Sequence, residues 1–76
     1  MRIYLGGDLD FYHPQKERWL AVELERPTRL ADILACSEIP LGEVHLVSIN
    51  GEHAELNKAI ITEQDEVKLF SAVGGG

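Results

Sequence analysis

A single stretch of this 76-residue chain has the spacing of an amphipathic helix, and that stretch is short. Its apolar residues recur at the i, i+3 and i+4 intervals that form one stripe, at Leu30, Ile33 and Leu34. We expect the helix to begin at Thr28, whose hydroxyl can cap the first turn, and to extend to Cys36 or Ser37. Because helices of this length are marginal alone, this one must pack on a sheet.

Segments with a period of two lie on both sides of the helix and predict β-strands. The predicted strands cover residues 2–5, 20–25, 44–49, 52–56 and 66–70. Gly6-Gly7-Asp8 is expected to weaken or bend the first strand, and Asn50-Gly51 forms a hairpin because both residues tolerate a positive φ. The alternation directs one set of apolar side chains inward, namely Ile3, Leu5, Leu20, Val22, Leu24, Val47, Ile49, Val67 and Leu69.

The predicted order of elements is β-β-α-β-β-β, with strands on both sides of one helix. A mixed sheet of four to five strands crossed by that helix lets both elements bury their single apolar face, which is an α+β architecture. The length fits one domain. We assign residues 1–70 to this domain and residues 71–76 to a flexible C-terminal tail.

The charge of the chain limits its partners. Seven basic and thirteen acidic residues give a net charge of −6, so we expect no nucleic-acid partner. The acidic surface favours a basic face on another protein, or simply keeps a small domain soluble. The sequence shows neither a signal-peptide core near its start nor a run of the roughly 20 apolar residues that span a membrane. We therefore expect a soluble, cytoplasmic protein without membrane association.

Cysteine and histidine give little sign of a special site. Cys36 has no second cysteine to pair with, which fits a reducing compartment, and its place near the helix end predicts a buried structural thiol. The three histidines, His13, His45 and His53, fall in different elements without a paired ligand spacing. We expect surface or loop histidines and no metal site.

The end of the chain, Ser71-Ala72-Val73-Gly74-Gly75-Gly76, carries three glycines that side-chain packing cannot hold. A frayed end or a cloning remnant would explain such a segment. A functional explanation is that a segment without Cβ atoms can thread a narrow channel and bring its carboxylate to a partner's active site. An ionised α-carboxylate is a poor electrophile, so we expect the partner to activate it by adenylation with ATP and magnesium.

Three motifs follow one another along the predicted elements, at the hairpin, at the start of the last strand and at the chain end. They are Val47-Ser48-Ile49-Asn50-Gly51-Glu52, Asp65-Glu66-Val67 and Phe70-Ser71-Ala72-Val73-Gly74-Gly75-Gly76. In this order they resemble the ThiS/MoaD family of ubiquitin-like sulfur carriers. That family includes the thiamine-pathway sulfur carrier and the small subunit of molybdopterin synthase. The resemblance implies the β-grasp (ubiquitin-like) fold, and it implies a carrier, or a synthase small subunit, rather than an enzyme.

The resemblance also implies roles for the terminal residues. In such carriers the last glycine is adenylated and then converted to a thiocarboxylate that donates sulfur in cofactor biosynthesis. Gly76 would carry the acyl group, while Gly75, Gly74 and Val73 would enter the partner. The implied partners are a ubiquitin-activating-like adenylyltransferase that uses ATP and magnesium, a sulfur donor protein and an acceptor synthase subunit. The chain itself is expected to bind no cofactor.

The resemblance leaves the pathway open. Residues 72–76 look like the thiamine carriers, whereas Phe70 and the long first hairpin look like the molybdopterin subunit. The Pro-Pro pair common before the tail of that subunit is replaced here by Ser71-Ala72. Thiamine, molybdopterin or tungstopterin, and another sulfur-containing product are all possible products.

A second group of residues predicts a docking surface. Phe70 and Tyr4, with Leu46, fall on the helix-free side of the sheet and could form an apolar patch at the root of the tail. Scattered surface apolar residues are the alternative. Two further functions also stay open, because fold does not imply function. One is a ubiquitin-like modifier that forms isopeptide bonds through Gly76, and the other is a non-catalytic interaction domain with a structural tail.

Overall fold

The structure is a computed structural model, and it describes residues 1–72. These residues form seven strands and one α-helix, with short 3-10 helices at Leu9–Tyr12 and Leu41–Glu43. In chain order the main elements are β1 (Arg2–Gly6), β2 (Trp19–Ala21), β3 (Thr28–Arg29), α1 (Leu30–Cys36), β4 (Leu46–Ile49), β5 (Glu52–Ala54), β6 (Ile60–Ile61) and β7 (Glu66–Phe70).

Five of these strands form one mixed sheet in the order β2-β1-β7-β4-β5. The central pair, β1 and β7, is parallel, with Ile3 beside Val67 and Leu5 beside Leu69, and the other pairs are antiparallel. Strands β3 and β6 form a separate two-stranded pair. The α+β architecture expected from the sequence, a mixed sheet with one helix, is therefore confirmed for the described residues.

One face of the sheet packs on the helix. The α1 stripe of Leu30, Ile33 and Leu34 is buried in one apolar cluster with the inward residues of the central strands. Fully burying a side chain of this size contributes about 1.5–3 kcal/mol, so these contacts supply the packing that a seven-residue helix lacks alone. The other members of the buried cluster are Ile3, Leu5, Leu9, Ile39, Val47, Ala59, Ile61, Val67 and Leu69.

The start of the helix differs from the prediction. Thr28 does not cap α1; it pairs with Ile61 in the β3–β6 ladder, and its hydroxyl donates to the Arg26 carbonyl at 2.9 Å. Arg29 takes the N-cap position without a side-chain cap. The Leu30 N–H instead donates to the carbonyl of Ala59 at 3.0 Å, so a tertiary contact provides one hydrogen bond at this helix terminus.

The end of the helix agrees with the prediction. α1 ends at Cys36, and the N–H and hydroxyl of Ser37 both donate to the Ile33 carbonyl, at 3.0 and 2.9 Å. Cys36 itself is exposed, so the expectation of a buried thiol is wrong. Its position follows from the stripe, because Cys36 lies off the face formed by Ile33 and Leu34.

Several strands also differ from the prediction: those expected over residues 44–49 and 52–56 cover only Leu46–Ile49 and Glu52–Ala54. The second strand was expected over residues 20–25, but ladder pairing covers only Trp19–Ala21, although Val22 and Leu24 still pack against the core. The strand Ile60–Ile61 was not predicted. Two residues are too few to show a period, and their partner β3 lies at the segment expected to begin the helix.

The Asn50-Gly51 hairpin is confirmed, with φ of 53° and 86°. The Asn50 side chain also ties the turn to β7: its Oδ1 accepts from the Glu66 N–H and its Nδ2 donates to Asp65, both at 2.9 Å. Asp65 accepts in addition from the Thr62 N–H at 2.8 Å. The Thr62 amide, followed by the Asn50 amide, lowers the pKa of Asp65 because both hydrogen bonds favour the ionised carboxylate.

We predict that this network makes stability depend on pH in the acid range. Because the folded pKa of Asp65 lies below the unfolded value, the ionised group stabilises the fold above the unfolded pKa, and this contribution is lost as the pH falls through the folded pKa. Asp65→Asn should lower the free energy of unfolding at pH 7 by about 1 kcal/mol, the net contribution of a partly solvated hydrogen bond.

Urea unfolding at pH 7 and pH 3 measures this effect. The Asp65→Asn chain should lose less stability than the wild type between the two pH values. Glu52→Gln, a change at an exposed residue of β5, is the control and should keep the wild-type pH dependence. An unchanged pH dependence in Asp65→Asn would contradict the prediction.

Candidate functional site

The residue at the root of the tail, Phe70, is fixed by the ends of two neighbouring strands. It is the last residue of β7, where it lies opposite Leu46 of β4 and beside Gly6 of β1. Its carbonyl accepts a hydrogen bond from the His45 N–H at 2.8 Å. The backbone at the root of the tail is therefore held on the β4 side by the sheet.

The Phe70 ring is seated over Gly6. A Cβ atom added at Gly6 would lie 2.4 Å from Cδ1 of Phe70 and 3.0 Å from the carbonyl oxygen of Leu69. No real Cβ approaches other atoms so closely, so only glycine at this position lets the ring rest against β1. The glycine that was expected to weaken the first strand instead forms a seat for the aromatic side chain.

The next residue, Ser71, is held in the same way. Ser71 is 8% exposed, and its Oγ accepts from the Asp8 N–H at 2.8 Å. Gly7 has a φ of 63°, and a Cβ there would lie 2.2 Å from Ser71 Oγ. We call the contact of Gly6, Gly7 and Asp8 with Phe70 and Ser71 the tail clamp.

The clamp holds the backbone as far as Ser71. Ser71, which the sequence analysis counted with the tail, is buried, and the following Ala72 is exposed. The four residues beyond it, Val73, Gly74, Gly75 and Gly76, lie outside the described residues. The division into a domain of residues 1–70 and a flexible tail of residues 71–76 therefore stays a prediction.

The three residues of the predicted docking patch lie together on the helix-free side of the sheet. The Tyr4 and Phe70 ring centroids are 6.1 Å apart, and Leu46, directly opposite Phe70, is 43% exposed. Trp19 extends the group, because its ring lies 5.0 Å from that of Tyr4 in an edge-on arrangement. Trp19 is half-buried.

We call this side of the sheet the sheet face; its strand positions are Arg2, Tyr4, Gly6, Trp19, Ala21, Leu46, Ser48, His53, Glu66, Lys68 and Phe70. Sequence reasoning missed the contact of Arg2, whose guanidinium carbon lies 4.3 Å from the centre of the Trp19 ring. Pairing the first two predicted strands would not have found it, because the register across the long loop between them cannot be deduced from composition. The tail clamp was missed for a related reason, since it joins residues more than 60 positions apart.

The histidines do not form a metal centre in the described part of the chain. His13 is buried in the first loop, where its Nδ1 accepts from the Gln15 N–H at 2.9 Å, and His45 and His53 are exposed. Among residues 1–72 no three His, Cys, Asp or Glu side chains are grouped as metal ligands would be. Over the same residues, no helix has the length and apolar character that a membrane crossing requires.

Most of the chain matches the model of a known protein family. The family model described as ThiS family matches residues 12–76, well over half of the chain, including Phe70 and the terminal glycines. The matched range begins after Gly6, Gly7 and Asp8, so one side of the tail clamp lies outside it. No curated protein matches the chain.

We predict that the clamp makes Gly7 more sensitive to substitution than another glycine of similar conformation. Gly7 and Gly51 both have positive φ, so Gly7→Ala and Gly51→Ala should each cost about 1 kcal/mol of backbone strain. Gly51 has open space at its Cβ position, whereas the Gly7 Cβ collides with Ser71. Gly7→Ala should therefore lower the free energy of unfolding further, by at least about 1 kcal/mol for the lost hydrogen bond.

Urea unfolding of the two variants tests this difference, and hydrogen exchange at the Asp8 amide reports the clamp directly. Exchange should accelerate in Gly7→Ala and stay at the wild-type rate in Gly51→Ala. Equal losses of stability with equal Asp8 exchange would show that Ser71 is not held as described.

Proposed function

The chain belongs to the ThiS family, and from that premise we propose that it carries sulfur as a thiocarboxylate on Gly76. Membership makes it a small sulfur carrier of cofactor biosynthesis rather than a catalyst, and a protein that interacts with activating and sulfur-transfer enzymes. The five-stranded mixed sheet and the helix of residues 1–72 are the β-grasp fold of this family, as the resemblance implied.

The proposed chemistry begins with an inert group. A terminal carboxylate with a pKa of about 3.5 is ionised at neutral pH and resists attack by nucleophiles. In the proposal, a carboxylate oxygen of Gly76 attacks the α-phosphorus of ATP in a partner adenylyltransferase, and magnesium pyrophosphate leaves. The terminal sulfur of a persulfide on the sulfur donor protein then attacks the acyl carbon and AMP leaves, which forms an acyl disulfide. A thiol reductant cleaves the S–S bond and is itself oxidised to a disulfide, which returns the donor as a thiol and leaves the thiocarboxylate on Gly76, later passed to the acceptor synthase.

The tail clamp is the observation that best supports this proposal. It holds Phe70 against β1 and Ser71 against the two residues that follow β1, and Ala72 is the first exposed residue after the clamp. The remaining four residues can span at most about 14 Å when extended. A fixed root and a short segment rich in glycine suit delivery of one carboxyl group into a narrow site of a docked partner.

The acceptor is proposed only as a class, a precursor of a sulfur-containing cofactor. The two features that look like the molybdopterin subunit, Phe70 and the long first hairpin, belong to parts of the chain that stabilise the fold. Phe70 belongs to the clamp, and the long first loop supplies Asp8 to the clamp and the buried Leu9 to the core, so both features have structural roles independent of any acceptor. Thiamine and molybdopterin or tungstopterin therefore stay as the alternatives.

The first test is a change in mass. Incubation of the chain with ATP, magnesium, an activating enzyme and a sulfur source should add about 16 Da, the replacement of one oxygen by sulfur. A chain lacking Gly76 should gain nothing, while Gly42→Ala, at a position with open space, should gain the same mass as the wild type.

Intact-mass spectrometry separates the alternatives. A truncated chain that still gains the mass would contradict the assignment of Gly76. Adducts with lysines of other proteins that survive strong thiol reductant would instead show the protein modifier. A wild-type chain that neither gains mass nor forms adducts would leave only the interaction domain.

A second prediction concerns docking of the activating enzyme. Leu46 and Ile60 are both large, exposed apolar residues, at 43% and 61%, but only Leu46 lies beside Phe70. Leu46→Ser should raise the KM for activation about fivefold, which corresponds to loss of about 1 kcal/mol of apolar contact. Ile60→Ser is the matched control and should change KM less than about twofold. Equal KM values for the two variants would place docking elsewhere.

A further inference from the structure

The charge of the sheet face is opposite to that of the whole chain. Its strand positions include Arg2 and Lys68 but only Glu66 among the acidic residues. Arg18, just before β2, adds a third positive charge at the face, since its guanidinium lies 3.5 Å from the Tyr4 hydroxyl. Two of the seven Lys and Arg residues therefore occupy strand positions of this face and a third lies beside it, whereas one of the thirteen Asp and Glu residues occupies such a position.

These positive charges are arranged around aromatic rings. Arg2 lies over the Trp19 ring at 4.3 Å, a distance at which cation and ring attract each other. Lys68 lies beside Tyr4 in the β1–β7 register, and its ammonium is 4.0 Å from Glu66, at the limit of an ion pair. A guanidinium stacked on a ring keeps its N–H groups in a fixed plane, and that planar fork matches a carboxylate.

We propose that the sheet face binds an acidic surface of the enzyme that activates Gly76, an inference that rests on the proposed function. The face is continuous with the root of the tail, because Phe70 belongs to both. An occupant of this face is therefore placed to receive the tail. The net charge alone would predict a basic partner, but the positively charged groups of the sheet face are complementary to carboxylates.

The charge asymmetry also orients the approach. With a net charge of −6, the chain is repelled by an acidic partner in most orientations. The two proteins attract each other only when the side of the chain that carries Arg2, Arg18 and Lys68 faces the partner. Charges arranged in this way favour productive encounters and reject wrong ones, and their effect weakens as salt screens them.

Two other occupants fit this face less well. Aromatic and basic side chains together can stack single-stranded nucleic acid, but the excess of acidic residues over the rest of the chain opposes a long polyanion. A second copy of the chain would place this face on an acidic region elsewhere on its neighbour. That contact is head-to-tail and continues without closing unless a ring forms.

Charge reversal tests the proposal in the activation assay. Lys68→Glu and Arg2→Glu should each raise the KM of the chain in ATP–pyrophosphate exchange by about tenfold, with the effect on KM rather than kcat. Lys58→Glu is the matched control, because it makes the same change in net charge at a side chain that is 82% exposed and lies in the segment between β5 and β6. It should leave KM within about twofold of the wild type.

Added salt provides a second measurement. The wild-type KM should rise as sodium chloride increases from about 50 to 300 mM, and this rise should be smaller for Lys68→Glu. Unfolding curves establish that each variant is folded. If Lys68→Glu does not fold, Lys68→Gln replaces it in the same assay. Face variants with the wild-type KM, or a control shifted as much as they are, would overturn the proposal.

Trp19, the single tryptophan of the chain, reports occupation of the face directly. The titration uses a chain lacking Gly76, which cannot be activated, and an activating enzyme whose tryptophans have been replaced by phenylalanine. Addition of this enzyme should change the fluorescence of Trp19. Fluorescence that responds to oligothymidylate but not to the enzyme, or sedimentation showing self-association through the face, would overturn the proposal. Absence of pyrophosphate exchange by the wild-type chain would instead refute the proposed function, so the two failures are distinguishable.

Discussion

The parallel pairing of β1 with β7 is the interaction on which the rest of the structure depends. It joins the two strands nearest the ends of the described chain and forms the middle of the sheet, with an antiparallel strand added on each side. Its register sets Ile3 and Leu5 beside Val67 and Leu69, which form the centre of the core. The same register brings Gly6 beside Phe70, so the core and the tail clamp follow from one alignment. A shift by one residue would move every inward side chain to the opposite face and separate the clamp.

Periodicity and turn chemistry were enough to predict the elements whose signal lies within a short stretch of sequence. The helix stripe at Leu30, Ile33 and Leu34 and the alternation in β7 each describe a segment that buries one face, and a single sequence shows this directly. The Asn50-Gly51 turn was predictable for the same reason, since both residues adopt the positive φ that the hairpin demands. The fold class followed from the order of these elements.

The parts that were not predicted depend on contacts between distant segments. Thr28 has the chemistry of an N-cap, but its pairing with Ile61 prevails because a ladder with β6 is available. Gly6-Gly7 looked like a break in a strand because the side chains that rest on it, Phe70 and Ser71, are far away in sequence. The sheet face was predicted in part, because parity identified Tyr4 and Phe70, while the stacking of Arg2 on Trp19 needed the register across a long loop.

The buried Ser71 is a fixed point of the backbone immediately before the last five residues of the chain. Because the backbone is held as far as Ser71, the length of a fully extended chain of residues 72–76 is an upper limit on the distance from the clamp to the last carboxyl group. Each residue inserted after Ser71 would raise this upper limit by about 3.5 Å, and each deletion would lower it by the same distance. In the proposed function, this limit is also the greatest depth of a partner's active-site pocket that the carboxyl group of Gly76 can reach.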